Sequence, residues 1–249
     1  MERKNIIFDL IGVLYALDTY AIFRAMGVAS VMRYVITHHK NPFTIAFAVL
    51  HEMHQREQHD YRVIKYKHNM MPRCITEWQA GIKTNKQALE EIEYFIYTPQ
   101  AAHLFKNEYE RHIVKKIIMA IFNTTSLTAY MRPIVPNVLL VKDLKEHTDH
   151  QLYLLSNFDA HAINTLALTY PEFFSLFDGV IVSGQVGLLK PYPEMYRYLL
   201  QRYDLHAEDS LFIDDQYENV QGAEHVGIPC VLYKNPSQLR KQIHQRHLL

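Results

Sequence analysis

The chain is short of the features that would take it out of ordinary globular chemistry. Among its 249 residues there are two cysteines, Cys74 and Cys230, at no metal-type spacing. That excludes a disulfide framework and a cysteine-based zinc site, and it fits a reducing compartment. Cys230, behind a proline at the head of "PCVLY", reads as a small core residue. Charge of one sign is not in excess, since Lys plus Arg and Asp plus Glu are 26 each. The basic footprint of a general nucleic-acid binder is therefore missing. Long apolar runs are missing too. The longest, "FTIAFAVL" at 43–50, falls far short of the roughly 20 residues that cross a bilayer. The start, Met-Glu-Arg-Lys and then a short strand-like run, is too brief for a signal-peptide core. The expectation is a soluble cytoplasmic protein, monomer or homodimer, with no nucleic-acid or membrane partner. No internal repeat or low-complexity segment is visible. What is present, 49% hydrophobic and 21% charged residues, suffices for a large core without staples. The 15 histidines make net charge rise below about pH 6.5.

Two textures divide the chain. Residues 5–10 ("NIIFDL"), 151–156 ("QLYLLS"), 179–183 ("GVIVS"), 210–214 ("SLFID") and 229–233 ("PCVLY") are short and apolar on consecutive positions. Strands buried on both faces of a parallel sheet read this way. Helical periodicities at 137–147, 160–170, 193–203 and 217–226 lie around and between the later ones. Strand–helix alternation predicts an α/β fold: a three-layer, Rossmann-like, doubly wound parallel sheet. The stretch from 16 to 132 shows helical periods at about 18–38, 43–66, 85–96 and 99–122 and almost no strand signal. Thr84 and Gln87 form a capping box for the third of these, after a turn at Gly81. The expected division is a core of 1–15 plus 133–249 and an inserted all-helical cap at 16–132.

In an open parallel sheet, ligands bind beyond the carboxyl ends of the strands. Those ends carry Asp9, then Ser156 and Asn157, then Lys190 after a loop, then the pair Asp214 and Asp215 with Asn219 beyond. Taken singly each has a plain explanation: a turn carboxylate, a helix cap, an ordinary Lys-Pro loop. Taken together they supply an attacking carboxylate, donors for phosphate oxygens, an ammonium and an oxygen-rich Mg²⁺ site. Phosphoryl transfer needs that set.

The stretches "FDLIGVL", "LLSN", "GLLKPYPEMY" and "FIDDQYENVQGAEHVGI", in this order and each at a strand end, resemble the four motifs of the haloacid dehalogenase superfamily. The branch they resemble has a helical cap inserted after the first strand. The resemblance implies Asp9 as the nucleophile, with Lys190 neutralising it and the moving phosphoryl group. It implies Ser156 and the Asn157 backbone N–H as phosphate donors. Mg²⁺ is expected on Asp9, the Ile11 backbone oxygen and Asp215, with Asp214 as a further ligand or an orienting partner. Asn219 would steady Lys190 or the acidic pair.

Ile11 departs from the pattern. Typical family phosphatases carry a second aspartate there, which protonates the leaving oxygen and then activates water. That help is worth about 10²–10⁴ in rate. The metal contact at this position is a backbone carbonyl, which isoleucine keeps. Three readings stay open: a phosphatase of small phosphorylated metabolites, a sugar phosphate among them; a catalytically impaired relative that binds a phosphorylated ligand; and a dehalogenase. The acidic pair argues against the third, which needs no metal. The sequence "HEMHQREQH" at 51–59 places His51 and His54 on one helix face but lacks the HExxH order, so a solvated face is expected. The same holds for His38, His39, His68, His103 and His112. Trp78 is expected in the cap's packing, and Tyr15 and Leu17 at the pocket or the hinge.

Overall fold

The computed structural model describes residues 3–18, 21, 24, 42–53, 64–66, 69–123 and 128–249. The expected helix over 18–38, and His38, His39, His54 and His68, lie outside the described residues or almost wholly so. Along the chain come β1 (Asn5–Phe8), β2 (Tyr15–Leu17), a helix Pro42–Glu52, β3 (Lys65–Tyr66) and β4 (Asn69–Met70). Helices Arg73–Gln79, Asn85–Ile96 and Glu108–Phe122 follow, with a 3₁₀ turn at Pro99–Leu104 between the last two. β5 (Met131–Pro133), β6 (Gln151–Ser156), β7 (Gly179–Val182), β8 (Ser210–Asp214) and β9 (Cys230–Leu232) complete the strands, separated by further helices.

The main sheet runs β7-β6-β1-β8-β9, and every pair in it is parallel. Alternation along each strand explains its two cores. Ile6 and Phe8, with Leu152, Leu154, Leu211 and Ile213, face one side. Ile7, with Tyr153, Leu155, Ile181 and Phe212, faces the other. Helices cover both faces, so the strands need no polar side and read as continuous apolar runs. Each such buried side chain contributes about 1.5–3 kcal/mol relative to exposure.

Register then sets the site. Phe8 pairs with Leu154 on one side and Ile213 on the other. The next residues, Asp9 just beyond β1 and Asp214 at the last position of β8, lie side by side, and the Asp9 N–H donates to the Ile213 carbonyl at 2.9 Å. β2 pairs antiparallel with β5, so the chain leaves and re-enters the sheet region through a two-stranded ribbon. Tyr15, in that ribbon, turns its ring into an aromatic cluster, 5.6 Å from Tyr170 and 5.2 Å from Phe173. It is a packing residue, whereas Leu17 is 38% exposed.

The region between β2 and β5 is not wholly helical. The helix expected over 43–66 is observed as Pro42–Glu52, and Lys65–Tyr66 is instead a strand pairing with Asn69–Met70. Two-residue strands carry no period of their own; this hairpin forms because Ile64 and Met71 are drawn into a cluster with Ala80, Leu189 and Tyr192. The helix expected over 99–122 is also interrupted. Thr98 caps the 3₁₀ turn and Asn107 caps Glu108–Phe122 afresh, with its side chain accepting from the Glu110 N–H. The capping box at Thr84 and Gln87 is present in both directions. Trp78 packs on Phe122, ring centroids 5.1 Å apart, and donates its Nε1–H to Asn85. His51 is exposed, as the solvated-face reading expects.

Two stability outcomes follow from these elements. Thr84→Ala removes one side of the box and costs about 1 kcal/mol, readable as a lower denaturation midpoint with an unchanged slope. His150 is buried, accepts the Lys4 N–H at Nδ1, and has its pKa pushed below the ordinary histidine value chiefly by burial. Below about pH 6.5 the unfolded chain binds a proton that the folded chain resists. Stability from this group is therefore lost as pH falls through 6.5. Denaturation at pH 7.5 and 5.5 should show a smaller acid loss in His150→Gln than in wild type.

Candidate active site

The ends of β1 and β8, the loop that carries Lys190 and the helix that carries Asn219 bring expected residues together at one edge. Lys190 is the hub. Its Nζ lies 2.7 Å from Asp9 Oδ1 and 2.7 Å from Asp214 Oδ2, at 1% exposure. Its ammonium also stands 5.4 Å from the centroid of the Phe212 ring. Asn219, from the helix Tyr217–Glu224, donates Nδ2–H to both Asp214 oxygens at 3.1 and 3.0 Å. The Gln216 N–H donates to Asp214 Oδ1 at 2.8 Å. Asp214 is thus held from three directions, and Asn219 steadies the acid rather than the lysine. Tyr196 in turn donates its hydroxyl to the Asn219 carbonyl at 2.7 Å.

Negative charge is crowded here. Asp9, Asp214 and Asp215 each offer a carboxylate oxygen within 4.8 Å of the others, and Lys190 bridges the first two. Burial pushes the Asp9 pKa up, Lys190 pulls it down, and Asp214 and Asp215 push it up again, leaving it at about 7. For Lys190, burial works against the charge, but Asp214 and Asp9 outweigh it and hold the ammonium above its ordinary range. Another cation would relieve this crowding, and an all-oxygen cluster suits a hard divalent ion. The turn after β1 is shaped around the same acid. Gly12 has φ +98°, and a Cβ there would lie 2.6 Å from the Asp215 carboxyl carbon. Any side chain would fill the space the carboxylate uses. The neighbouring bridge employs the Gly12 N–H to the Tyr15 carbonyl and the Tyr15 N–H to the Leu10 carbonyl. It makes no use of the Ile11 carbonyl.

Ser156 ends β6 with its Oγ buried and, among the described residues, without a hydrogen-bond partner. A buried orphan hydroxyl is costly unless a ligand satisfies it. Asn157 plays a part the sequence did not reveal. Its side-chain amide donates to the Lys190 carbonyl at 2.8 Å and accepts the Lys190 N–H at 2.9 Å. This two-way clamp fixes the backbone that carries the ammonium. Gly222 was also missed: a Cβ on it would sit 2.1 Å from the Pro191 carbonyl oxygen, so glycine lets the helix approach the lysine loop. A helical glycine next to an alanine in "VQGAEH" was the available signal. Ile11 is half-buried and packs against the larger core, offering no proton.

Comparison with known proteins agrees with this geometry. Residues 3–227 match the haloacid dehalogenase-like hydrolase family. A sesquiterpene phosphatase, astK, of Aspergillus oryzae is 33% identical over 111 residues, 45% of this chain and 55% of that one. A glyceraldehyde 3-phosphate phosphatase of Pyrococcus abyssi is 31% identical over 64 residues, 25% of this chain and 27% of that one. The matched stretch spans about half of the first relative and about a quarter of the second. Among solved structures, a haloacid dehalogenase family enzyme of Bacteroides thetaiotaomicron, in complex with magnesium and inorganic phosphate, superposes with TM-score 0.58 at 18% identity, covering 94% of this chain and 95% of that one. A predicted family hydrolase of Porphyromonas gingivalis gives 0.56 at 21%, covering 97% and 98%. No described helix is long and apolar enough to cross a membrane. The chain belongs to the haloacid dehalogenase-like hydrolase family.

Proposed function

We propose that this protein is a Mg²⁺-dependent phosphatase of a small phosphorylated metabolite, working through Asp9. The observation that carries the reading is the buried ammonium of Lys190 between Asp9 and Asp214, together with the orphan hydroxyl of Ser156 at the end of β6. One Asp9 oxygen attacks phosphorus as the ester P–O bond breaks, and an aspartyl-phosphate forms on this chain. Lys190 offsets the charge of the nucleophile and the moving phosphoryl oxygens. Ser156 Oγ and the Asn157 N–H donate to those oxygens. Asp9, Asp215 and the Ile11 carbonyl would hold Mg²⁺, which supplies charge neutralisation at the phosphate when bound. Asp214, already engaged by Lys190, Asn219 and Gln216, orients rather than ligates. Water then cleaves the acyl-phosphate and restores Asp9. In this reading residues 16–132 act as a cap over a core of 1–15 and 133–249. The working compartment is the reducing cytoplasm, where the free thiols of Cys74 and Cys230 stay reduced. The phosphatase names of two curated relatives support the reaction class.

Ile11 bears on the substrate. The departing oxygen receives no proton from this position, so leaving groups that tolerate the negative charge are favoured, an anomeric sugar hydroxyl over a simple alkoxide. The same observation supports a second reading, a relative that grips a phosphorylated ligand and has lost turnover.

A phosphomonoester panel separates these. Mg²⁺-dependent turnover is expected in wild type, and Asp9→Asn should lower it by on the order of 10³-fold or more. Ile11→Asp should raise turnover of alkyl phosphates by about 10²-fold, with little change for activated esters. An inactive wild type whose Ile11→Asp variant gains activity would favour the binding reading. Unchanged turnover in Asp9→Asn sinks the assignment of the nucleophile.

A further inference from the structure

Where the turn after the helix Arg73–Gln79 meets the core, Ser183 stands. Ser183 is fully buried at the C-terminal end of β7. Its Oγ lies 2.6 Å from the carbonyl of Gln79, across a separation of 104 residues, and accepts the Phe158 N–H at 2.9 Å. A hydroxyl has one proton, and the shorter contact takes it; the 3.3 Å approach to the Phe158 carbonyl is secondary. The Gly184 N–H serves that carbonyl at 3.1 Å. On the other side Gly81, at φ +70°, comes so close that a Cβ would stand 2.5 Å from the Gly184 oxygen. Next to this polar seat lies an apolar one, where Ile64 and Ala80 of the inserted region pack with Leu189 of the core.

Both seats abut the active site. Phe158, which Ser183 holds, follows Asn157, whose amide clamps the backbone of Lys190. Leu189 precedes Lys190. A displacement of the 73–81 segment therefore has a short bonded route to the loop that follows β6 and to the ammonium beyond it.

We infer that Ser183 is a positioning residue: its hydroxyl couples the seating of the 73–81 segment to the conformation of the 156–160 loop, and through Asn157 to Lys190. A single oxygen bonded to both segments gives the pair a common equilibrium, so a bias applied to either is felt by the other. The effect on catalysis rests on the phosphatase reading; the coupling itself does not.

Hydrogen exchange followed by mass spectrometry on the full chain tests the coupling without substrate. Ser183→Ala should raise exchange about tenfold in both 73–81 and 156–160, the scale of one lost buried hydrogen bond. Gly81→Ala, made on the inserted side, should raise exchange in 156–160 as well. In the double variant the change at 156–160 should fall short of the sum of the single changes, because Ser183 carries part of the route and the Gly184 N–H bond to the Phe158 carbonyl carries the rest. Additive effects there, or a Ser183→Ala response confined to one segment, overturn the inference. Should Gly81→Ala fail to fold, Ile64→Ala loosens the 73–81 segment through the neighbouring apolar seat and replaces it in the cycle. A second arm adds Mg²⁺ with beryllium fluoride. In wild type both segments should gain protection together, and in Ser183→Ala only 156–160 should. Absence of any binding by wild type counts against the phosphate-handling reading, while the exchange cycle still decides the coupling.

Discussion

A buried ammonium between two buried carboxylates is the constraint around which this structure is arranged. Removing Lys190 from water is expensive, and only close opposite charge makes it tolerable. Asp9 and Asp214 provide that charge, but they arrive on neighbouring strands whose register must be right to within a residue. A slip of either strand by one would turn its carboxylate away from the other. The apolar alternation of β1 and β8 is therefore also what aligns the charged centre. Asn219, the Gln216 N–H and the Asn157 amide then use up the remaining freedom of the acid and of the lysine backbone.

Much of this was legible in the sequence because it depends on local pattern. Consecutive apolar residues marked all five strands of the main sheet, strand-end position marked Asp9, Ser156 and the acidic pair, and Lys190 was marked in the loop beyond a strand. Thr84 and Gln87 announced a helix start from chemistry within four residues. What escaped detection is held by distant partners. The strands at Lys65–Tyr66 and Asn69–Met70 are too short for any period and exist through packing on Leu189. The break near Phe105 is made by the caps Thr98 and Asn107, which a continuous apolar periodicity masks. Asn157 was expected to act through its main chain, and its side-chain clamp on Lys190 spans 33 residues that no spacing rule links. Ser183 sat outside every motif, because its importance comes from the two segments it touches.

Ile11 and Gly12 show how a turn divides its duties between side chain and backbone. Gly12 is dictated by the proximity of Asp215, where no Cβ fits. At Ile11 the backbone keeps whatever the turn requires while the side chain joins the larger core. A substitution at that position can therefore change the side chain without disturbing the turn.

The central place of β1 has a consequence for how the chain matures. Its partners begin at Gln151 and Ser210, so it is made long before either exists. During synthesis an apolar, pairing-competent strand waits through some two hundred residues, and these long-range pairings make folding slow. Intermediates lacking the β8 segment would expose the unpaired apolar edge of β1, the kind of surface from which aggregates start. The yield of active protein should accordingly depend more on the speed of closing that edge than on the final stability of the sheet.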